Sequence, residues 1–173
     1  MVQEKSNRKY LAMFCFIITM VSCTNIYESS ISNILHAQNV SIVSSKRYES
    51  HAVGEWYILE RYILSGDTKI QFEVNRDIKD YGIKKHPTME GYYWIGWNPV
   101  SLHSATRNIL TESARFYSNN SLVSEYDECC HNDDCYYTIL VRDSAELFND
   151  LYEKTAVVFD QMKNTIYICN YHY

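Results

Sequence analysis

Three cysteines, one histidine and four carboxylates fall within the ten residues Tyr126-Asp-Glu-Cys-Cys-His-Asn-Asp-Asp-Cys135. Residue types in this density suit a metal site, a thiol redox centre or a disulfide clamp. Zinc takes thiolate and imidazole ligands in paired, spaced sets drawn from separate parts of a chain, whereas here one cluster has a single distant companion, Cys169. Asp127, Glu128, Asp133 and Asp134 are oxygen ligands of the kind calcium prefers, but the run lacks the D-x-D-x-D-G spacing with a closing Glu. The C-x-x-C pair of dithiol oxidoreductases is also missing. The expectation is no metal, no cofactor, and a disulfide-braced, acidic, exposed loop.

A disulfide needs an oxidising compartment, and the N-terminus bears on that. Lys5, Arg8 and Lys9 precede an apolar run from Tyr10 to Ser22, shorter than the roughly 20 residues that span a bilayer. It reads as an export signal. The run closes on Met20-Val21-Ser22-Cys23 and resembles the lipobox of bacterial lipoproteins, although Met20 stands where Leu is usual. The resemblance implies cleavage before Cys23 and lipidation of Cys23. Thr24 follows, where Asp would imply retention at the inner membrane, so the implied address is the outer membrane, lipid-anchored and facing the periplasm. Residues 1–22 are then a signal peptide, residues 23–50 a lipid anchor and Ser/Asn-rich flexible tether, and residues 51–173 a single β-rich periplasmic domain.

With Cys15 lost in the signal and Cys23 lipidated, Cys129, Cys130, Cys135 and Cys169 remain. An even number in an oxidising compartment argues for two disulfides. Bridging the adjacent Cys129 and Cys130 would strain disulfide geometry. One of them should close a small loop with Cys135 and the other should reach Cys169; the spacing leaves open which does which. The longer link encloses about 40 residues and on chain-entropy grounds contributes about 4 kcal/mol.

Removal of residues 1–22 takes away Lys5, Arg8, Lys9 and Glu4, leaving 13 Lys and Arg against 20 Asp and Glu, a net charge of −7. Such a chain repels nucleic acid and anionic lipid and favours a basic protein partner. Sixteen tyrosines with only five glycines and two prolines exclude a disordered composition.

Along the chain, EWYILERYIL and TKIQFEV flank Ser65-Gly66-Asp67 and predict a hairpin, with Ile70, Phe72 and Val74 facing inward. Residues 76–90, with Pro87, predict a loop. GYYWIGW (91–97) is aromatic and β-prone, ended by Asn98-Pro99. Residues 104–120 fit a short helix and two short strands equally. SLVSEY leads into the cysteine run and YYTILVR leaves it as a strand. DSAELFNDLYEK has capping-box spacing at Asp143 and Glu146, which predicts a helix. TAVVFD, QMKN and TIYICNY form a terminal hairpin. The expected fold is mainly β: antiparallel sheets, sandwich-like or few-bladed, with one or two short helices.

The nucleophile-elbow, zincin, P-loop and dinucleotide motifs are all missing from the sequence. His36, His51, His86, His103, His131 and His172 are scattered without i, i+4 pairing. No catalytic residues are assigned, and an enzyme is not expected. The aromatic run Tyr92, Tyr93, Trp94 and Trp97 offers residue types that dominate binding hot spots. With the acidic Asp127, Glu128, Asp133 and Asp134 it forms the expected partner-binding set, while Ile95 is expected in the core.

The layout from Gly54 to Cys169, GEWYILERYILSGDTKIQFEV, then GIKKH, then C-x4-C before YYTILVRDSAELF and a terminal hairpin, is similar to outer-membrane immunity lipoproteins that act against phospholipase effectors of type VI secretion. The doubled Cys129-Cys130 and the helix-like AELFNDLYEK depart from that pattern. The resemblance implies an immunity or inhibitor lipoprotein that binds and neutralises a secreted toxin in the periplasm. A structural or accessory envelope lipoprotein without inhibitor activity is the alternative, and a lipid-anchored hydrolase fits least well.

Overall fold

Strand-forming stretches such as YYTILV and TAVVF are apolar almost without interruption, the pattern of a sheet covered on both faces. The computed structural model describes residues 30–35, 40–52, 55–66, 82–102, 110, 119–142 and 154–172. Within them lie β1 (Ile42–Ala52), β2 (Glu55–Leu64), β3 (Lys84–Lys85), β4 (Tyr93–Trp94), β5 (Asn98–Pro99), β6 (Cys135–Val141), β7 (Lys154–Asp160) and β8 (Thr165–His172). They form one antiparallel sheet in the order β1-β2-β8-β7-β6-β4-β3, with β5 also pairing β6. The mainly antiparallel β fold expected from the sequence is what the chain adopts. Its second layer is helical, however. Among the described residues, one sheet is faced by a helix on each side, with no second sheet.

Alternation within the central strands divides the core in two. Tyr167 and Cys169 of β8, Ala156 and Val158 of β7, and Tyr137 and Ile139 of β6 pack with Leu122, Val123 and Tyr126 of α2 (Ser121–Cys129). The intervening Ile166, Ile168, Val157, Phe159 and Leu140 pack with Ile31, Ile34 and Leu35 of α1 (residues 30–35). Among the described residues no helix is long and apolar enough to cross a membrane.

Three expectations change. The tether assigned to residues 23–50 is not a tether over its described part: α1 buries its apolar residues, and β1 pairs with β2 from Ile42 to Ala52. The Ser/Asn content concealed this, because β1 is an edge strand whose side chains are largely exposed. The hairpin partner of β2 is therefore β1, which precedes it. With β8 on its other side from Trp56 to Ile63, β2 has both edges occupied, and TKIQFEV, expected to pair with it, lies outside the described residues. Residues 121–129, expected to lead into a loop, are α2. Asn120 caps this helix, its side-chain oxygen accepting from the Leu122 N–H at 2.9 Å.

The terminal hairpin is as expected. Asp160 accepts from the Lys163 N–H at 2.9 Å, and Asn164 takes the left-handed conformation (φ 48°) that asparagine tolerates. Residues 1–29 with Cys23, most of 104–120, Ile70, Phe72 and Val74, expected to face inward, and all of the helix expected over DSAELFNDLYEK except Lys154, which begins β7, lie outside the described residues.

Candidate functional site

The end of α2 and the start of β6 place the four cysteines. Tyr126 and Cys129 share the inner face of α2, and Cys130 caps it, its N–H donating to the Tyr126 carbonyl. A tight turn follows, in which the Asn132 N–H donates to the Cys129 carbonyl and the Cys135 N–H to the Asn132 carbonyl, both at 3.1 Å. Cys135 therefore re-enters the core as the first residue of β6, opposite Asp160 of β7. Cys169 sits mid-strand in β8, between Leu59 and Ala156.

All four are buried thiols, at most 1 % exposed. The run is thus not an exposed loop: its sulfurs point into the core, and its acidic members take the outside. Glu128, Asp133 and Asp134 are exposed and Asp127 is half-buried. The alternation of thiol and carboxylate in the sequence records this inward and outward division.

The Sγ atoms of Cys129 and Cys135 and a carboxylate oxygen of Asp160 lie within 4.8 Å of one another. Contact with the Cys135 thiol, and then burial, raises the Cys129 pKa far above the usual thiol range. Burial raises Cys130 likewise. The Tyr57 and Tyr126 phenols are raised first by burial and then by the neighbouring Cys169 and Cys130 thiols. Cys129, Cys130, Tyr57 and Tyr126 are thereby held uncharged, beside the buried Asp160 carboxylate. That carboxylate faces the Lys163 ammonium at 3.5 Å. A sulfur pair with one carboxylate has the donor chemistry of a soft-metal site, but it supplies three ligands where closed structural zinc sites take four.

The expected aromatic set divides. Trp97 is wholly buried, packed in the core on the α1 side, so it is a core residue and not a surface anchor. Ile95 is buried, as expected. Tyr92, Tyr93 and Trp94 are half-buried. Tyr92 and Tyr93 line a groove of about 560 Å³ formed by residues 85–93. Trp94 is steadied by the His86 ring, 4.8 Å away between centroids. The Arg142 guanidinium lies over the Tyr92 ring at 5.8 Å.

Tyr93 pairs with Val141, at the end of β6 remote from Cys135. Six residues of strand, about 20 Å, separate that end from the acidic turn. The aromatic and acidic residues are therefore two patches and not one surface. The exposed charges beside the groove are Lys84, Lys85, Glu90 and Arg142, a mainly basic border that linear distance along the sequence did not disclose.

Comparison with protein-family models, with curated proteins and with solved structures finds no match to this chain.

Proposed function

We propose that the chain is a lipid-anchored periplasmic immunity or inhibitor protein, which neutralises a secreted toxin by binding it at the groove of residues 85–93. The observation that carries this reading is the groove itself. Tyr92 and Tyr93 line it, with Trp94 alongside, all half-buried; His86 steadies Trp94 and the Arg142 guanidinium lies over Tyr92. Rigid aromatic side chains with a polar border bind at low conformational cost, the need of an inhibitor that acts by covering a partner. Lys84, Lys85 and Arg142 favour an acidic rim on that partner. The carboxylates of the α2–β6 turn are a second, separate surface.

The test has two arms. Deleting the gene should sensitise cells to a co-encoded periplasmic toxin, and the purified chain should inhibit that toxin, with phospholipase activity as the first assay. Tyr92→Ala combined with Trp94→Ala should weaken inhibition at least tenfold, whereas reversing Glu128, Asp133 and Asp134 should leave groove-mediated inhibition intact. Unchanged survival of the deletion strain under attack by toxin-bearing siblings would remove the immunity reading in favour of an accessory envelope lipoprotein.

A further inference from the structure

We infer that the four buried thiols are a disulfide lock with one defined connectivity, Cys129 to Cys135 and Cys130 to Cys169, which fastens the C-terminal end of α2 to β6 and to β8. The fold separates the sulfurs into these pairs. Cys129 and Cys135 lie on either side of the tight turn and meet beside Asp160. Cys130, the capping residue one position on, is buried in the same α2-side cluster. Cys169, mid-strand in β8, is buried in that cluster with Tyr57 and Tyr126, and with Cys129 and Cys135 already together it is the sulfur left for Cys130. Adjacent residues at a helix end diverge by about 100°, which is how two consecutive cysteines serve two strands.

The surroundings favour sulfur–sulfur bonding over the alternatives. Thiolates would place negative charge next to Asp160 in a site closed to water, an arrangement penalised by both burial and like-charge repulsion. A disulfide is neutral, and it leaves Asp160 to Lys163. Each bridge forms by exchange with a disulfide donor. Two Cys S–H bonds are lost, one S–S bond forms, and the donor disulfide takes the two electrons and two protons to become two thiols. The inference is independent of the proposed partner, because any disulfide donor suffices.

The lock is tested on the purified full chain after equilibration with oxidised glutathione, by counting thiols after denaturation. Wild type should show none of the four, and no stoichiometric zinc. Two matched double variants, Cys129→Ala with Cys135→Ala and Cys130→Ala with Cys169→Ala, should each retain one bridge and show no free thiol among the remaining pair. The crossed variants, Cys129→Ala with Cys169→Ala and Cys130→Ala with Cys135→Ala, should each show two.

Because all four doubles delete two buried thiols, wild type supplies a check that does not depend on their folding. Partial reduction, cyanylation and cleavage should report Cys129 with Cys135 and Cys130 with Cys169 as the pairs released together. Full reduction should lower the melting temperature by about 10 °C, as expected for loss of a bridge closing a loop of about 40 residues. Crossed pairing in the wild type, four free thiols after oxidation, or one zinc ion per chain would each overturn the inference.

Discussion

The two faces of the sheet are made from alternate residues of the same strands, yet they are built on different chemistry. In β8, Ile166 and Ile168 face α1 while Tyr167 and Cys169 face α2. In β7, Val157 and Phe159 oppose Ala156 and Val158, and the strand ends in the buried Asp160. The α1 face is mostly aliphatic and aromatic hydrocarbon, stabilised by area removed from water at about 25 cal/mol per Å². The α2 face gathers four thiols and the hydroxyls of Tyr57, Tyr126 and Tyr137. Apolar burial there is offset by the cost of enclosing polar atoms. One face holds the sheet together by packing. The other encloses polar groups that are stable there only when neutral, so it is the face on which pH and thiol oxidation should act.

The largest effect should come from removing volume on the hydrocarbon face. Phe159 is 2 % exposed, and Phe159→Ala should cost about 3–5 kcal/mol in urea unfolding. Leu35, the last residue of α1, is wholly buried, and Leu35→Ala should cost about 2–4 kcal/mol. A cost below about 1 kcal/mol for Leu35→Ala would detach α1 from the core and restore the view of residues 23–50 as a tether.

Alkaline pH should act on the α2 face alone. Cys129 and Cys130 have folded-state pKa values raised above the unfolded value, the first by the Cys135 thiol and burial, the second by burial. Their contribution is complete below the unfolded thiol pKa and is lost as pH rises past it, because only the unfolded chain then ionises. The reduced protein should lose about 1.4 kcal/mol per pH unit for each such thiol above about pH 9. The oxidised protein should lack this slope until its raised tyrosines begin to count above about pH 10. Identical pH profiles for the two forms would show that the thiols do not govern this face.

The junction between the faces and the cysteine turn rests on a local device. Asn120→Ala removes the cap of α2 and should cost about 1 kcal/mol, measured by thermal unfolding. The helix it starts was legible in outline: Leu122, Val123, Tyr126 and Cys129 recur at helical spacing behind an asparagine. The density of carboxylates and cysteines in the same run points instead to a loop. The strands β6, β7 and β8 and the turn at 161–164 were legible because long β-branched and aromatic runs ended at polar turn residues.

By contrast, the role of β1 was hidden. An edge strand with exposed Ser44, Ser45, Lys46 and Arg47 carries no alternation of apolar residues, and its pairing with β2 is fixed by the partner. The separation of the Tyr92 and Asp134 patches was equally illegible, because it depends on which end of β6 each neighbour joins.

The smallest effect sharpens the contrast most. The Tyr126 hydroxyl is buried and has the Cys130 thiol as its hydrogen-bonding neighbour among the described residues. Sulfur is a weak acceptor, so Tyr126→Phe removes a polar atom whose burial costs more than its contacts return. It should leave stability within about 0.5 kcal/mol of wild type, or raise it. Thr138→Val provides the control on the α1 side, since its Oγ1 is buried with no hydrogen-bond partner at all among the described residues. It too should be neutral or stabilising, because the substitution keeps the shape and removes the hydroxyl. Should Tyr126→Phe instead cost more than about 1.5 kcal/mol while Thr138→Val costs nothing, the hydroxyl–thiol contact is a bond that holds the α2 face. The two faces would then differ in how they are held as well as in what they enclose.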